Sequence, residues 1–309
     1  MVGDALRAAA LTLCTAVLAC PRPGLAQSLE PRAYSASPVG LNFAVAAYSH
    51  SKGGIAFDPS VPLENAQARV DSLALGYVRT LDVLGNSSSV ALLLPFARVD
   101  GSATLDGTEE NRRISGMADP GVRLAVNFYG APAMTPAQFA RYRQDLIVGA
   151  SLTLTAPLGQ YDPTRVVNLG TNRWSAKPEL GLSQAAGPWT FELSGAAAFF
   201  TRNDDYFGGN VREQDPIYSA QLHVTRQFGR GTWGALSATH YTGGRTSLNG
   251  VARDDRQSGT RFGATFALPL GHGHSLKLFG STGLQARTGT DFDTIGVAWQ
   301  YLWADGAGR

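Results

Sequence analysis

The sequence predicts an all-β fold, a single up-and-down antiparallel transmembrane β-barrel of about 12 strands that follows a cleaved signal peptide. Apolar residues alternate with polar or small residues over stretches of about ten positions, and each stretch ends at Gly, Pro, Asn or Asp. Charged residues make up only 16% of the chain, against about 25% in soluble domains. After residue 26 the sequence has no apolar run of the roughly 20 residues that a transmembrane helix needs. Such a chain places its apolar residues in alternation, which is typical of outer-membrane barrels.

Residues 1–26 have the features of a signal peptide. Arg7 supplies a positive charge before the short apolar run at residues 8–19, and the segment ends in Gly-Leu-Ala, with small residues where signal peptidase cleaves. A lipoprotein box ending in Cys20 is an open alternative. Because Cys14 and Cys20 are the two cysteines of the sequence, the mature chain is predicted to have none and to form no disulfide.

Each strand is predicted from a set of apolar residues at every second position, which therefore lie on one face of the strand. A charge on the lipid face costs about 2–4 kcal/mol at the midplane, so we expect these sets to face lipid and the opposite parity to face the lumen. A soluble β-sandwich also shows this alternation, but the face opposite its apolar set would be charged rather than rich in Ser, Thr, Gly and Ala, so the barrel is favoured. The run at residues 232–241 is predicted as a strand of ambiguous facing. The apolar sets are Val39, Leu41, Phe43, Val45 and Ala47; Leu73, Leu75 and Tyr77; Val90, Leu92, Leu94 and Phe96; Val122, Leu124, Val126 and Phe128; Leu146, Val148, Ala150, Leu152 and Leu154; Leu180 and Leu182; Trp189, Phe191, Leu193, Ala197 and Phe199; Tyr218, Ala220, Leu222 and Val224; Phe262, Ala264, Phe266 and Leu268; Leu276 and Leu278; and Ile295, Val297, Trp299, Tyr301 and Trp303.

The predicted connections alternate in length, as expected for long extracellular loops and short periplasmic turns. One periplasmic link, residues 130–145, is longer, and Thr135-Pro136 predicts a capped helical turn within it. The long links are residues 49–67, 100–119, 157–173, 202–215 and 243–257, and the short ones are residues 185–188, 229–231 and 269–274.

The predicted barrel, residues 38–303, is flanked by two short segments. Residues 27–37 are polar, contain a proline and show no alternation, so they could enter the lumen as a plug or extend into the periplasm. Residues 304–309 form a tail behind Trp303, the aromatic residue that would serve as the terminal signal for the outer-membrane assembly machinery.

Several stretches of the chain resemble one family of outer-membrane proteins. The stretches are residues 29–35, 38–43, 119–120, 126–132, 157–162, 168–174 (NLGTNRW), 177–179 (KPE), 203–209 (NDDYFGG), 213–216 (EQDP) and 241–246 (YTGGRT). The resemblance is to the transporter-like proteins of the MetA-pathway phenol-degradation family, and it extends over nearly the whole mature chain. It implies a transporter in the outer membrane of a Gram-negative bacterium and points to small aromatic or hydrophobic compounds as solutes; it brings no catalytic motif.

Seven ionisable residues have the parity of the predicted lumen face. They could line a pore, where charge sets ion selectivity, or they could form internal ion pairs that fill a narrow barrel. Both interpretations stay open, and Glu179 and Glu192 are expected to pair with Lys177 or Arg123. The seven are Arg123, Lys177, Glu179, Glu192, His223, Arg261 and Lys277.

The predicted extracellular loops contain a second set of candidates: Asn203, Asp204, Asp205 and Arg245. The acidic run lacks the spacing of a known calcium loop, so solvated loop acids are favoured. His272 and His274 lie in a predicted turn without carboxylate or cysteine partners, and a polar turn is favoured over a metal site. We therefore predict no metal and no cofactor.

The function predicted from these features is passive passage of small solutes through an outer-membrane channel. The alternatives are a structural barrel with a closed lumen and a barrel lipase or esterase that uses Ser237 and His240. The sequence has no GxSxG elbow and no evident acid partner, so we predict that the protein is not an enzyme. A formal net charge of +2 argues against a nucleic-acid partner, and the expected partners are outer-membrane lipid and a small, aromatic or hydrophobic solute.

Overall fold

The computed structural model describes residues 30–56, 63–105, 108–286 and 289–304. The predicted signal peptide and the lipidation alternative at Cys20 lie outside these residues, as do residues 27–29 and 305–309. Among the described residues no helix is long and apolar enough to span a membrane.

The described residues form 18 strands and one short helix, α1 (Pro136–Phe139). The strands are β1 (Leu41–Ala56), β2 (Leu63–Val83), β3 (Asn86–Leu105), β4 (Thr108–Met117), β5 (Gly121–Tyr129), β6 (Leu146–Thr155), β7 (Ser175–Ala186), β8 (Trp189–Phe200), β9 (Asn203–Tyr206), β10 (Asn210–Gln214), β11 (Ile217–Gly229), β12 (Thr232–Gly243), β13 (Thr246–Leu248), β14 (Val251–Ala252), β15 (Gln257–Gly271), β16 (His274–Ala286), β17 (Gly289–Thr290) and β18 (Asp293–Ala304).

Twelve strand positions form a closed antiparallel barrel, which confirms the predicted fold class and strand number. The order around the wall is β1, β2, β3, β4 with β5, β6, β7, β8, β11, β12, β15, β16 and β18. β4 and β5 share one position, because β4 pairs with the extracellular half of β3 and β5 with its periplasmic half. β18 then pairs with β1 from Leu41 opposite Ala304 to Lys52 opposite Asp293. Lipid offers no hydrogen bonds to the backbone, so this pairing leaves no unpaired edge in the wall.

The periplasmic ends are joined by tight turns, as predicted. Leu84 and Gly85 between β2 and β3 have φ values of 52° and 81°, and positive φ at both central residues matches the twist of a hairpin. His272 and Gly273, with φ of 51° and 82°, form the same kind of turn between β15 and β16. The longer link contains α1, where the Thr135 hydroxyl accepts from Gln138 N and the Gln138 side chain accepts from Thr135 N, a capping box. The predicted helical turn is therefore confirmed.

Most of the predicted lipid-facing sets are exposed on the outer wall. Leu124 is 45% exposed and Leu222 49%, whereas residues of the opposite parity on the same strands are buried. The ambiguous strand β12 places Trp233 inward at 0% exposure and Leu236 outward at 68%.

β1 is the exception, and its predicted facing is wrong. Leu41, Phe43, Val45 and Ala47 are 0–6% exposed and point into the barrel. Leu41 and Phe43 pack in one cluster with Trp233 of β12, which lies several strands away around the wall. Val45 and Ala47 belong to a second buried cluster with Ala74 and Ala298. The apolar set of β1 is therefore buried in clusters that join several strands, which local periodicity cannot reveal.

Two predicted extracellular loops are also largely wrong, because the strands continue through them. β1 and β2 stay paired as far as Gly54 opposite Gln67, and β3 pairs with β4 from Phe96 opposite Met117 to Leu105 opposite Thr108. Beyond the membrane both faces of a hairpin can contact water, so alternation fades while backbone pairing persists. The links at residues 202–215 and 243–257 also contain strands, and these form a four-stranded sheet in the order β14, β13, β10, β9.

The facing of β1 can be tested by cysteine labelling, since the sequence has no cysteine after residue 20. Ala46→Cys carries a fluorophore on the outer wall, so nitroxide-labelled lipid tails should quench it strongly. A fluorophore at Ala47→Cys would lie in the buried interior, and we expect it to react poorly or to escape quenching. Quenching of Ala47 but not of Ala46 would contradict the inward facing.

Candidate functional site

The structure places all seven predicted lumen residues on the inner wall, and all are buried at 3–8% exposure. They lie on β5, β7, β8, β11, β15 and β16. Inward placement spares each charge from hydrocarbon, but burial then requires that it be paired or hydrogen-bonded.

Three of these residues form one ion-pair cluster. The Arg123 guanidinium lies 3.3 Å from Glu179 Oε1, and Lys177 Nζ lies 3.4 Å from Glu179 Oε2. Arg123 Nε also donates to Ser151 Oγ at 3.2 Å. The expected pairing with Arg123 and Lys177 is therefore present for Glu179, whereas Glu192 forms no ion pair with either residue among those of the described chain.

The chain segment before β1 occupies the space that these charges face. The Tyr34 hydroxyl donates to Glu179 Oε1 at 2.8 Å, and Arg123 lies 5.8 Å from the centre of the Tyr34 ring. The backbone N–H of Arg32 donates to a carboxylate oxygen of Glu192. The segment thus fastens to charges on three different strands, and it is buried, with Tyr34 at 2% exposure.

Two glycines on the inner wall make room for the Tyr34 ring. Gly149 of β6 and Gly181 of β7 lie directly opposite each other in the sheet. A Cβ atom at either position would collide with the ring of Tyr34. These two glycines, both of lumen-facing parity, are a sequence signal for the recess that sequence analysis missed.

The same segment is tied down again near the periplasmic end of the barrel. Ser37 N donates to Ser87 Oγ at 3.1 Å, and that hydroxyl donates to Ser37 O at 3.0 Å. Asn127 Nδ2 donates to Ser35 O at 3.3 Å. Ala36 is buried in an apolar cluster with Ala131, Met134 and Ile147 of the α1 link and β6.

The remaining predicted lumen residues make separate contacts. His223 Nδ1 lies 2.8 Å from Ser237 Oγ on the neighbouring strand. Arg261 donates to Ser281 Oγ at 3.3 Å and to Phe292 O at 3.1 Å. Lys277 is 6% exposed on the inner face of β16.

The geometry does not support the predicted pairing of Ser237 with His240. Ser237 faces the lumen, whereas His240, three positions along β12, faces outward and its Nδ1 lies 3.0 Å from Thr260 Oγ1. Residues of opposite parity on one strand lie on opposite faces of the sheet, so Ser237 and His240 form no pair.

The predicted loop candidates do not form one site. Asn203 is 2% exposed and donates to the Tyr161 hydroxyl at 2.9 Å and to Thr171 O at 3.2 Å. Asp204 forms an exposed ion pair with Arg202 at 2.7 Å, and Asp205 N donates to Asn203 Oδ1. Arg245 O accepts from Asp215 N. Within the described ranges no group of His, Cys, Asp or Glu could hold a metal ion.

A residue that sequence analysis missed, Asp119, anchors the long loop at residues 156–174. Asp119 is fully buried between β4 and β5. Its Oδ1 accepts from Gly159 N at 2.9 Å, and its Oδ2 accepts from Thr171 N and Thr171 Oγ1 at 2.8 and 2.7 Å. Leu169 of this loop packs against inward-facing apolar residues of the wall, among them Val70 and Ile114. The loop therefore folds over the extracellular mouth.

A closed barrel with an apolar outer band and a polar, charged interior defines an outer-membrane β-barrel protein. The family model described as "Putative MetA-pathway of phenol degradation" matches residues 51–301, and the chain belongs to this family. The family resemblance predicted from the sequence is therefore confirmed.

Solved structures of outer-membrane proteins have the same fold. An outer membrane channel from Pseudomonas putida is 25% identical over 89% of this chain and 100% of its own, with a TM-score of 0.75. The transport unit of the autotransporter AIDA-I from Escherichia coli is 7% identical, with a TM-score of 0.51 over 97% of this chain and 98% of its own. No curated protein is significantly similar in sequence.

The contribution of the buried charge cluster can be measured against an exposed ion pair. Glu179→Ala removes the buried carboxylate that lies 3.3 Å from Arg123 and 3.4 Å from Lys177, which should lower the free energy of unfolding by about 3–5 kcal/mol. Asp204→Ala removes an exposed pair and should cost less than about 1 kcal/mol. Urea unfolding in lipid vesicles measures both. Equal costs would contradict the structural importance of the cluster.

Proposed function

We propose that this protein is a channel for the passive passage of small solutes across the outer membrane of a Gram-negative bacterium, and that residues 30–38, the plug segment, close it in this conformation. The family and the similarity to an outer membrane channel support the channel role. The chain would reach the membrane through its signal peptide and the outer-membrane assembly machinery.

One observation supports the plug most strongly. The side chain of Tyr34 fits between Gly149 and Gly181 and donates to Glu179, a residue of the charge cluster. All these contacts are non-covalent and lie inside the wall, so the plug segment can leave without breaking any barrel strand. Opening would then expose a lumen lined by Arg123, Glu179 and their neighbours.

The transport mechanism would be diffusion, with no cofactor. The family description supports small aromatic compounds as the solutes. Because an aqueous opening lined by charge discriminates among solutes, the lumen residues would set selectivity once the plug segment has moved.

The second candidate is a structural barrel whose lumen stays closed. The interior apolar cluster of Leu41, Phe43, Trp233 and Leu302 favours it, because these buried side chains occupy part of the interior near the periplasmic end. Small barrels do pack their interiors with side chains. Conductance separates the two candidates.

Single-channel recording in planar bilayers tests the plug. Tyr34→Ala removes the ring and hydroxyl that hold the plug segment, so we expect more frequent or larger conductance steps than in the wild type. Tyr48→Ala is the matched control, because Tyr48 is 48% exposed on the outer wall, and it should leave conductance unchanged.

Deletion of residues 30–37 is the stronger version of the same test. It should give open channels in nearly every insertion. If the deletion variant inserts as a folded, heat-modifiable barrel yet stays silent, the channel proposal is wrong and the structural barrel is favoured.

A further inference from the structure

The extracellular mouth contains a buried arginine whose hydrogen-bonding capacity is only partly used. Arg173 lies two residues before β7 and is 8% exposed. Its guanidinium lies 4.4 Å from the centre of the Phe200 ring, on the inner side of the extracellular end of β8. One terminal nitrogen donates to Gln214 Oε1. The other, Nη1, is buried and has no hydrogen-bond partner among the described residues.

A second arginine lies close to the first. Arg212 of β10 is half-buried, and its guanidinium lies 5.0 Å from the centre of the Tyr206 ring. Burial, together with the charge of Arg212, lowers the pKa of Arg173 to about 9, so Arg173 still carries its charge at neutral pH. No ion pair joins either arginine to a carboxylate within the part of the chain that the structure describes.

The carboxylate with the largest effect on the charge of Arg173, that of Asp119, accepts hydrogen bonds from other groups. Asp119 contributes to the electrostatics of Arg173, but its two oxygens accept from Gly159 and Thr171. Gln214 is held as well, since its Nε2 donates to Gly244 O at 2.9 Å and turns its oxygen toward Arg173. A buried guanidinium N–H without an acceptor costs free energy. An acceptor from outside the chain that reached Nη1 would remove this cost.

We propose that Arg173 and Arg212, with the rings of Phe200 and Tyr206, form a binding site for a small aromatic carboxylate at the extracellular mouth. This inference rests on the proposed channel function and names its solute class. The planar fork of a guanidinium matches the two oxygens of a carboxylate, and the neighbouring rings supply a face for an aromatic body. A neutral phenol would offer only a hydroxyl to two cations, and inorganic phosphate would leave the rings unused.

The position of the site suits capture before transport. Phe200, Tyr206 and Arg212 are half-buried around the more deeply buried Arg173, so a solute reaches the outer members of the site first. A positive mouth also raises the local concentration of anions. Capture there would deliver the solute to the lumen, where Arg123 and Lys177 continue the series of cations.

Isothermal titration calorimetry of the full chain in detergent tests the site, with benzoate as the probe. Wild type should bind benzoate more tightly than it binds cyclohexanecarboxylate or phosphate, and phenol should bind more weakly still. Arg173→Gln keeps a hydrogen-bonding side chain but removes the charge, and it should weaken benzoate binding at least tenfold. Arg202→Gln, an equal loss of charge at an exposed ion pair, should change it less than twofold.

Arg212→Gln is the second test variant if Arg173→Gln fails to fold, because Arg212 is more exposed than Arg173. It should weaken benzoate binding severalfold. Equal weakening by Arg202→Gln, preference for phosphate, or no benzoate binding by folded wild type would overturn the inference. Its failure differs from failure of the channel proposal. A plug-deleted variant that conducts without binding benzoate disproves only the site, whereas silence of that variant disproves the channel even if benzoate binds.

Discussion

The backbone of β1 pairs with β18 along its membrane-spanning length, and every other feature of the molecule depends on this seam. An open sheet edge in hydrocarbon would leave a row of unpaired N–H and C=O groups, each costing several kcal/mol. Closure removes that edge and creates an interior. The side chains that face this interior must pack together, pair with opposite charges or be hydrated. The other features of the structure meet this requirement.

The interior is filled in two different ways along the barrel axis. Near the periplasm an apolar cluster around Trp233 and Phe43 occupies part of the space. Beside it, the carboxylate of Glu179 pairs with the charges of Arg123 and Lys177 and accepts a hydrogen bond from the Tyr34 hydroxyl. Apolar side chains lose stabilisation when they are exposed to water, so the apolar cluster resists opening. A segment held by ion pairs and hydrogen bonds can exchange those contacts for water, which is why the charge cluster and not the apolar one fits a movable closure.

Local alternation was enough to predict the barrel, its strand number and the facing of most strands, because lipid imposes the same rule on each strand separately. The prediction failed where contacts are non-local. The apolar side of β1 faces inward, where it is buried in clusters with residues of other strands, Trp233 among them. The extracellular hairpins continue where the lipid rule no longer applies. All seven predicted lumen residues lie on the inner wall. The recess for Tyr34 was missed, because Gly149 and Gly181 lie more than 100 positions away in sequence. The burial of Arg173 depends on the folded loop, which local patterns do not reveal.

Disulfide formation tests directly whether the N-terminal segment lies inside the lumen of the membrane-embedded barrel. Ser37→Cys together with Ser87→Cys replaces two residues that hydrogen-bond to each other inside the barrel, in a sequence with no cysteine after residue 20. Mild oxidation of the protein in outer membranes, followed by mass spectrometry, should find this disulfide in most molecules. Free thiols at both positions in folded barrels would mean that the segment lies outside the lumen, and would contradict the account.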